Sequence, residues 1–76
     1  MVVIAGHRRH RIGKKTTEEI FDIHSVLHKV TFIVVKRSNF AEWQRYFLEL
    51  GGDPEWLKRL SHSVRRYRYF YEIYTD

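Results

Sequence analysis

The chain contains no cysteine, which excludes a disulfide framework, a thiolate zinc site and a cysteine nucleophile, and fits a reducing compartment. It has no run of the roughly 18 apolar residues that a membrane span needs. The longest apolar stretches, Met1 to Ala5 and Phe32 to Val35, are far shorter, and no membrane partner is expected. The N-terminus lacks the order of a secretory signal, because its apolar part precedes its cationic part; the cytoplasm is the expected location. Neither a Walker-type phosphate loop nor a GxGxxG fingerprint occurs, so nucleotide-dependent chemistry is excluded and no cofactor is expected.

Acidic residues are missing from the first fifteen positions. Arg8, Arg9, Arg11, Lys14 and Lys15 stand there unopposed and account for the whole formal charge of +5, leaving 9 bases against 9 acids in the rest. A segregated cationic block of this kind suits phosphates, because clustered bases release counterions when they bind a polyanion. The alternative is a solvated loop that serves solubility. A second cluster, Arg65-Arg66-Tyr67-Arg68-Tyr69, interleaves cations with rings; arginine holds phosphate while tyrosine stacks on unpaired bases. Against that stands the plain reading of strand tyrosines packing a small core.

What the chain does hold is bulk. Five Phe, five Tyr and two Trp in 76 residues help a chain that, at this length, buries only roughly 60% of the surface its unfolded form exposes. A single domain over 1–76 is expected, of α+β class, with a basic loop or hairpin at 6–15. Val2 to Ala5 reads as a strand, and Arg8 to Ile12 as its hairpin partner. Thr16-Thr17-Glu18-Glu19 is a capping box opening a helix over about 17–28, with Ile20, Ile23, Leu27 and Val30 as its inner stripe. Val30 to Lys36 reads as a central strand buried on both faces.

Ser38 or Asn39 should cap a second helix with Phe40, Trp43, Phe47 and Leu50 inward. After Gly51-Gly52, Asp53-Pro54 opens a third helix with Trp56, Leu57, Leu60 and Val64 inward. Tyr67 to Thr75 reads as one long final strand, with Tyr67, Tyr69, Tyr71 and Ile73 on one face. The expected order is β(β)αβααβ, an antiparallel or mixed sheet of three to four strands with about three helices on one face.

Catalytic and metal readings are weak. His24 and His28 have the four-residue spacing of a metal pair, but no third ligand is evident, and a half-buried packing role is the simpler reading; no metal is expected. Ser61-His62-Ser63 lacks the context of a nucleophile. His7 and His10 beside Arg8, Arg9 and Arg11 supply ingredients for metal-free RNA cleavage, with Arg68, Tyr69 or His62 brought in from elsewhere, although a surface that binds without turnover needs less.

Arg66-Tyr67-Arg68-Tyr69-Phe70-Tyr71-Glu72-Ile73 is similar to the central strand of the RelE/ParE toxin superfamily, small basic proteins whose ribonuclease members cut messenger RNA on the ribosome. Val3-Ile4-Ala5-Gly6-His7-Arg8-Arg9 resembles that family's later strand, which often ends in Gly-His-Arg. The two pieces cover about fifteen residues and stand here in reverse order. What the resemblance implies is RNA cleavage without a metal; no catalytic residue is carried over. The run from Val30 to Thr75 resembles half of a LAGLIDADG-type DNA-binding unit, without the acidic motif that names it.

The expected function is nucleic-acid binding, RNA slightly ahead of DNA. Arg8, Arg9, Arg11, Lys14, Lys15, Arg65, Arg66 and Arg68 would lie on phosphate, and Tyr67 and Tyr69 on bases. The alternative is an interaction module, such as a small viral or plasmid-encoded regulator, that docks on a host protein or pairs with itself as a homodimer. A RelE-like ribonuclease ranks third.

Overall fold

The computed structural model describes residues 1–8, 10–27 and 29–75. Strands β1 (Val2–His7) and β2 (His10–Thr16) lead into helix α1 (Thr17–Leu27). Strand β3 (Phe32–Lys36) is followed by a 3-10 turn (Arg37–Asn39), helices α2 (Phe40–Glu49) and α3 (Pro54–Leu60), and strands β4 (Ser63–Arg66) and β5 (Phe70–Tyr74). The α+β class is as the sequence predicts, but the sheet has five strands rather than three or four. All pairs are antiparallel, in the order β2-β1-β3-β5-β4.

Local chemistry explains the starts. The Glu19 amide donates to Thr16 Oγ1 and the Thr16 amide donates to Glu19 Oε1, both at 3.3 Å, closing the capping box. Asp53 accepts from the Glu55 amide at 2.9 Å with Pro54 in the first turn of α3. Asn39 is the cap residue of α2, but its side chain makes no capping bond.

The hairpin turn between β1 and β2 puts Arg8 in the left-handed region, φ 43°, as a two-residue loop between right-twisted strands requires. The Arg8 amide donates to Thr31 Oγ1 at 2.8 Å.

All three helices cover one face of the sheet. Val3 and Ala5 of β1, Ile33 and Val35 of β3 and Ile73 of β5 pack there with Ile20, Trp43, Phe47, Trp56, Leu57 and Leu60. The other face, which alternates with these residues, carries no helix among the described residues. This corrects the expectation that β3 is buried on both sides: Val34 is half-buried and Lys36 exposed. Phe32 is buried on the uncovered face by its own sheet. Its ring lies across Gly6, where a β-carbon would come within 1.8 Å of Phe32 Cζ, and packs against Tyr74 with centroids 5.3 Å apart.

The strand expected over 67–75 is shorter, β5 alone; residues 67–69 turn the chain from β4, with which β5 forms a hairpin, and Val64 belongs to β4 rather than to the inner stripe of α3. The Tyr67 amide donates to the Phe70 carbonyl at 3.0 Å, closing the turn. Arg37 holds the turn from below: its amide donates to the Tyr69 carbonyl at 3.1 Å and its Nη1 to the Arg68 carbonyl at 3.4 Å. The turn breaks the alternation counted through it. Tyr71 and Ile73 face the helices, while Tyr67 stacks on Phe70, centroids 4.8 Å apart and planes at 20°, on the uncovered face. The stretch similar to the toxin family's central strand is therefore not one strand here.

A bulge shapes β2. Ala5 pairs with Gly13 and Gly6 with Arg11, leaving Ile12 as the extra residue. Gly13 takes φ 123° to allow it.

No helix among the described residues is long and apolar enough to cross a membrane.

Candidate nucleic-acid interface

The uncovered face is read from the register. One cross-strand row runs Lys14, Ile4, Val34, Glu72, Arg65; a second, toward the β4–β5 turn, runs Thr16, Val2, then Lys36 and Phe70. Four interstrand spacings of about 4.8 Å separate Lys14 from Arg65, about 19 Å in all. Between them lies a trough of about 760 Å³ floored by Val2, Ile4, Val34 and Phe70, with Arg11, Lys14 and Lys36 on its walls and Tyr67 stacked at one end. Val2 is 56% exposed, Tyr67 41% and Phe70 37%. Apolar and aromatic surface thus lies open within a ring of cations.

The sequence-predicted site residues separate into groups. Arg11 and Lys14 line the trough. Arg65 faces the same side, directly opposite Glu72 on the edge strand β4. Lys15 points to the helix side, where it pairs with Glu19 at 3.6 Å. Arg66 lies opposite Tyr71, also on the helix side. Arg68 and Tyr69 occupy the β4–β5 turn, the guanidinium 5.2 Å from its neighbour's ring centroid, and do not line the trough. Arg8 sits in the opposite hairpin turn; Arg9 lies outside the described residues. The two clusters, fifty residues apart in sequence, contribute Arg11, Lys14, Arg65 and Tyr67 to one surface. Lys36, Phe70 and Glu72 join them, three residues that composition gave no reason to single out.

Glu72 is the one acid that the described strand residues place on this face. The Tyr67 and Tyr74 hydroxyls hold its carboxyl below the usual carboxylate range, and the charges of Arg65 and Arg11 add to the effect against partial burial. Tyr74 donates to Oε2 at 2.9 Å; burial, then the neighbouring carboxylate, pushes its own hydroxyl up. Counting Arg11, Lys14, Lys36 and Arg65 against Glu72, the face carries a formal +3.

The histidines do not form a catalytic group that the geometry defines. His7 pairs with His10 across the end of the β1–β2 hairpin, and His62 is exposed after α3. Ser61 Oγ donates to the Lys58 carbonyl at 2.8 Å, closing the helix end. His24 is buried against Trp56, ring centroids 4.1 Å apart, and near Phe47; His28 lies outside the described residues. Among the described residues no three His, Asp or Glu come together as metal ligands would.

A smaller hollow of about 360 Å³ on the helix side is lined by Met1, Glu18, Glu42, Arg45, Tyr46 and Glu49. The Tyr46 hydroxyl donates to Glu18 there and, as the largest cause, lowers its carboxyl. Three carboxylates make it a poor seat for phosphate, the reverse of the trough. Compared with protein-family models, curated proteins and solved structures, the chain has no significant match in any of the three.

Proposed function

We propose that this protein binds single-stranded nucleic acid, RNA ahead of DNA, across the uncovered face of its sheet. The observation that supports this best is the trough itself, an open apolar and aromatic floor walled by Arg11, Lys14 and Lys36 with Arg65 beside it. A net positive charge around an exposed ring pair is complementary to a strand whose phosphates are anionic and whose bases are unpaired. Tyr67 and Phe70 give the bases a surface; the cations take the backbone. A duplex hides its base faces and gains nothing from the rings, so single strands are the better fit.

The direct test is binding of labelled single-stranded RNA, single-stranded DNA and both duplexes over a salt series, with the RNA checked for cleavage afterward. Salt-sensitive binding that favours single strands supports the reading. Absence of binding at low salt overturns it. Self-association that survives high salt would assign the face to a second copy, and cut RNA would add turnover to binding.

A further inference from the structure

Within the proposed nucleic-acid reading, the position of Glu72 is unexpected. A carboxylate in a phosphate-binding trough repels the backbone, so its presence calls for a second role. Arg65 stands opposite Glu72 but makes no ion pair with it; among the described residues the one ion pair is Lys15–Glu19, on the other side of the sheet. The carboxyl is held in place by the Tyr74 hydroxyl, which donates to Oε2 at 2.9 Å. A carboxylate offers about four lone-pair positions, and the Tyr74 bond to Oε2 leaves acceptor capacity for a ligand. Beside it stands the Tyr67–Phe70 stack, half exposed. The trough therefore offers three kinds of contact together: a ring platform for a base face, cations for phosphate, and a carboxylate acceptor in the same lining.

We propose that the trough selects guanine, with Glu72 accepting from the N1–H and the 2-amino group while the base lies against Tyr67 and Phe70. Guanine is the base whose Watson–Crick edge carries two adjacent donors. Adenine and cytosine set an acceptor next to their amine, and uracil flanks its one N–H with carbonyls that a carboxylate repels. The inference rests on the single-strand reading and deepens it. A two-donor contact of this kind discriminates between bases by about tenfold or more.

The experiment uses the full chain and short uridine-rich RNAs carrying one central guanine, adenine or inosine, at fixed salt. Guanine should bind about tenfold more tightly than adenine. Inosine, which keeps N1–H and lacks the 2-amino group, should fall between them. In Glu72→Gln the preference should collapse to about one, while affinity for the guanine-free RNA holds or rises because a negative charge has left the trough. A role confined to folding would lower all three affinities alike and leave their ratio unchanged.

Equal binding of guanine and adenine by the native chain, with salt-sensitive binding intact, overturns the guanine assignment and leaves the binding reading standing. Retention of the preference in Glu72→Gln overturns it as well. If no RNA binds at low salt, both readings fall together. Should Glu72→Gln not fold, the inosine comparison on the native chain decides.

Discussion

Neutralising the trough should change how binding responds to salt more than whether the chain folds. Each phosphate contact to a single strand contributes about −0.7 to the slope of log affinity against log salt. Arg11, Lys14, Lys36 and Arg65 together predict a slope of about −2.8, equivalent to an affinity loss of about 50-fold between 50 and 200 mM salt. With Arg11→Gln, Lys14→Gln and Arg65→Gln combined, only Lys36 remains and the slope should be about −0.7, a loss of about 2.6-fold over the same interval. All three side chains are on exposed residues, so the melting temperature should change little. Fluorescence anisotropy of a labelled single-stranded RNA, titrated at four or more salt concentrations, measures both slopes. Lys15→Gln is the discriminating control, since it removes the same charge one residue away but from the helix side of the sheet. If the triple variant keeps the native slope, or Lys15→Gln flattens it as much as Lys14→Gln does, binding is not seated in the trough.

Three further outcomes follow from the fold. Thr16→Ala breaks the reciprocal cap of α1 and should cost about 1 kcal/mol, a drop of about 4–8 °C in melting temperature for a domain this size. Gly6→Ala drives a methyl into the Phe32 ring and should destabilise by about 1–3 kcal/mol through overpacking, seen in the urea midpoint. Stability should fall as pH drops below about 5, through the carboxylates. Glu18, Glu19 and Glu72 have folded carboxyls below the ordinary 4.5, so each stabilises above that value and loses its contribution as pH drops through its folded pKa. A urea midpoint that stays constant down to pH 3 would contradict this.

The helix starts were legible because capping chemistry is local: Thr16 with Glu19, and Asp53 with Pro54, need only three residues of context. The inner stripes of α2 and α3 were legible for the same reason, apart from Val64, whose spacing from Leu60 fits a helix and whose β-branching fits a strand. The β4–β5 turn was not. Arg66 to Tyr74 holds no glycine or proline, and the turn is braced by Arg37, 31 residues from Arg68, which donates to the carbonyls of Arg68 and Tyr69. Counting alternation through that hidden turn put Tyr67 on the wrong face.

Of the interface, the charge was visible and its seat was not. Arg11, Lys14 and Arg65 could be named from composition, but which cations share a surface depends on pairing between distant strands. Lys36 looked like the end of a buried strand because the run before it, Phe32 to Val35, is wholly apolar and shows no alternation between a covered and an uncovered face.

Parity decides which side of a strand a residue serves, and Arg11 and Lys14 are an odd number of positions apart. In an unbroken ladder they would serve opposite sides, and Ile12 would stand beside Lys14 in the trough. The supernumerary Ile12, accommodated by Gly13, reverses that parity for everything N-terminal to it in β2. The trough's charge is thus encoded partly by a count rather than by identity. Losing Ile12 alone would keep Arg11 facing the trough. Losing Lys15, which itself serves the helix side, would rotate Arg11 away from the trough.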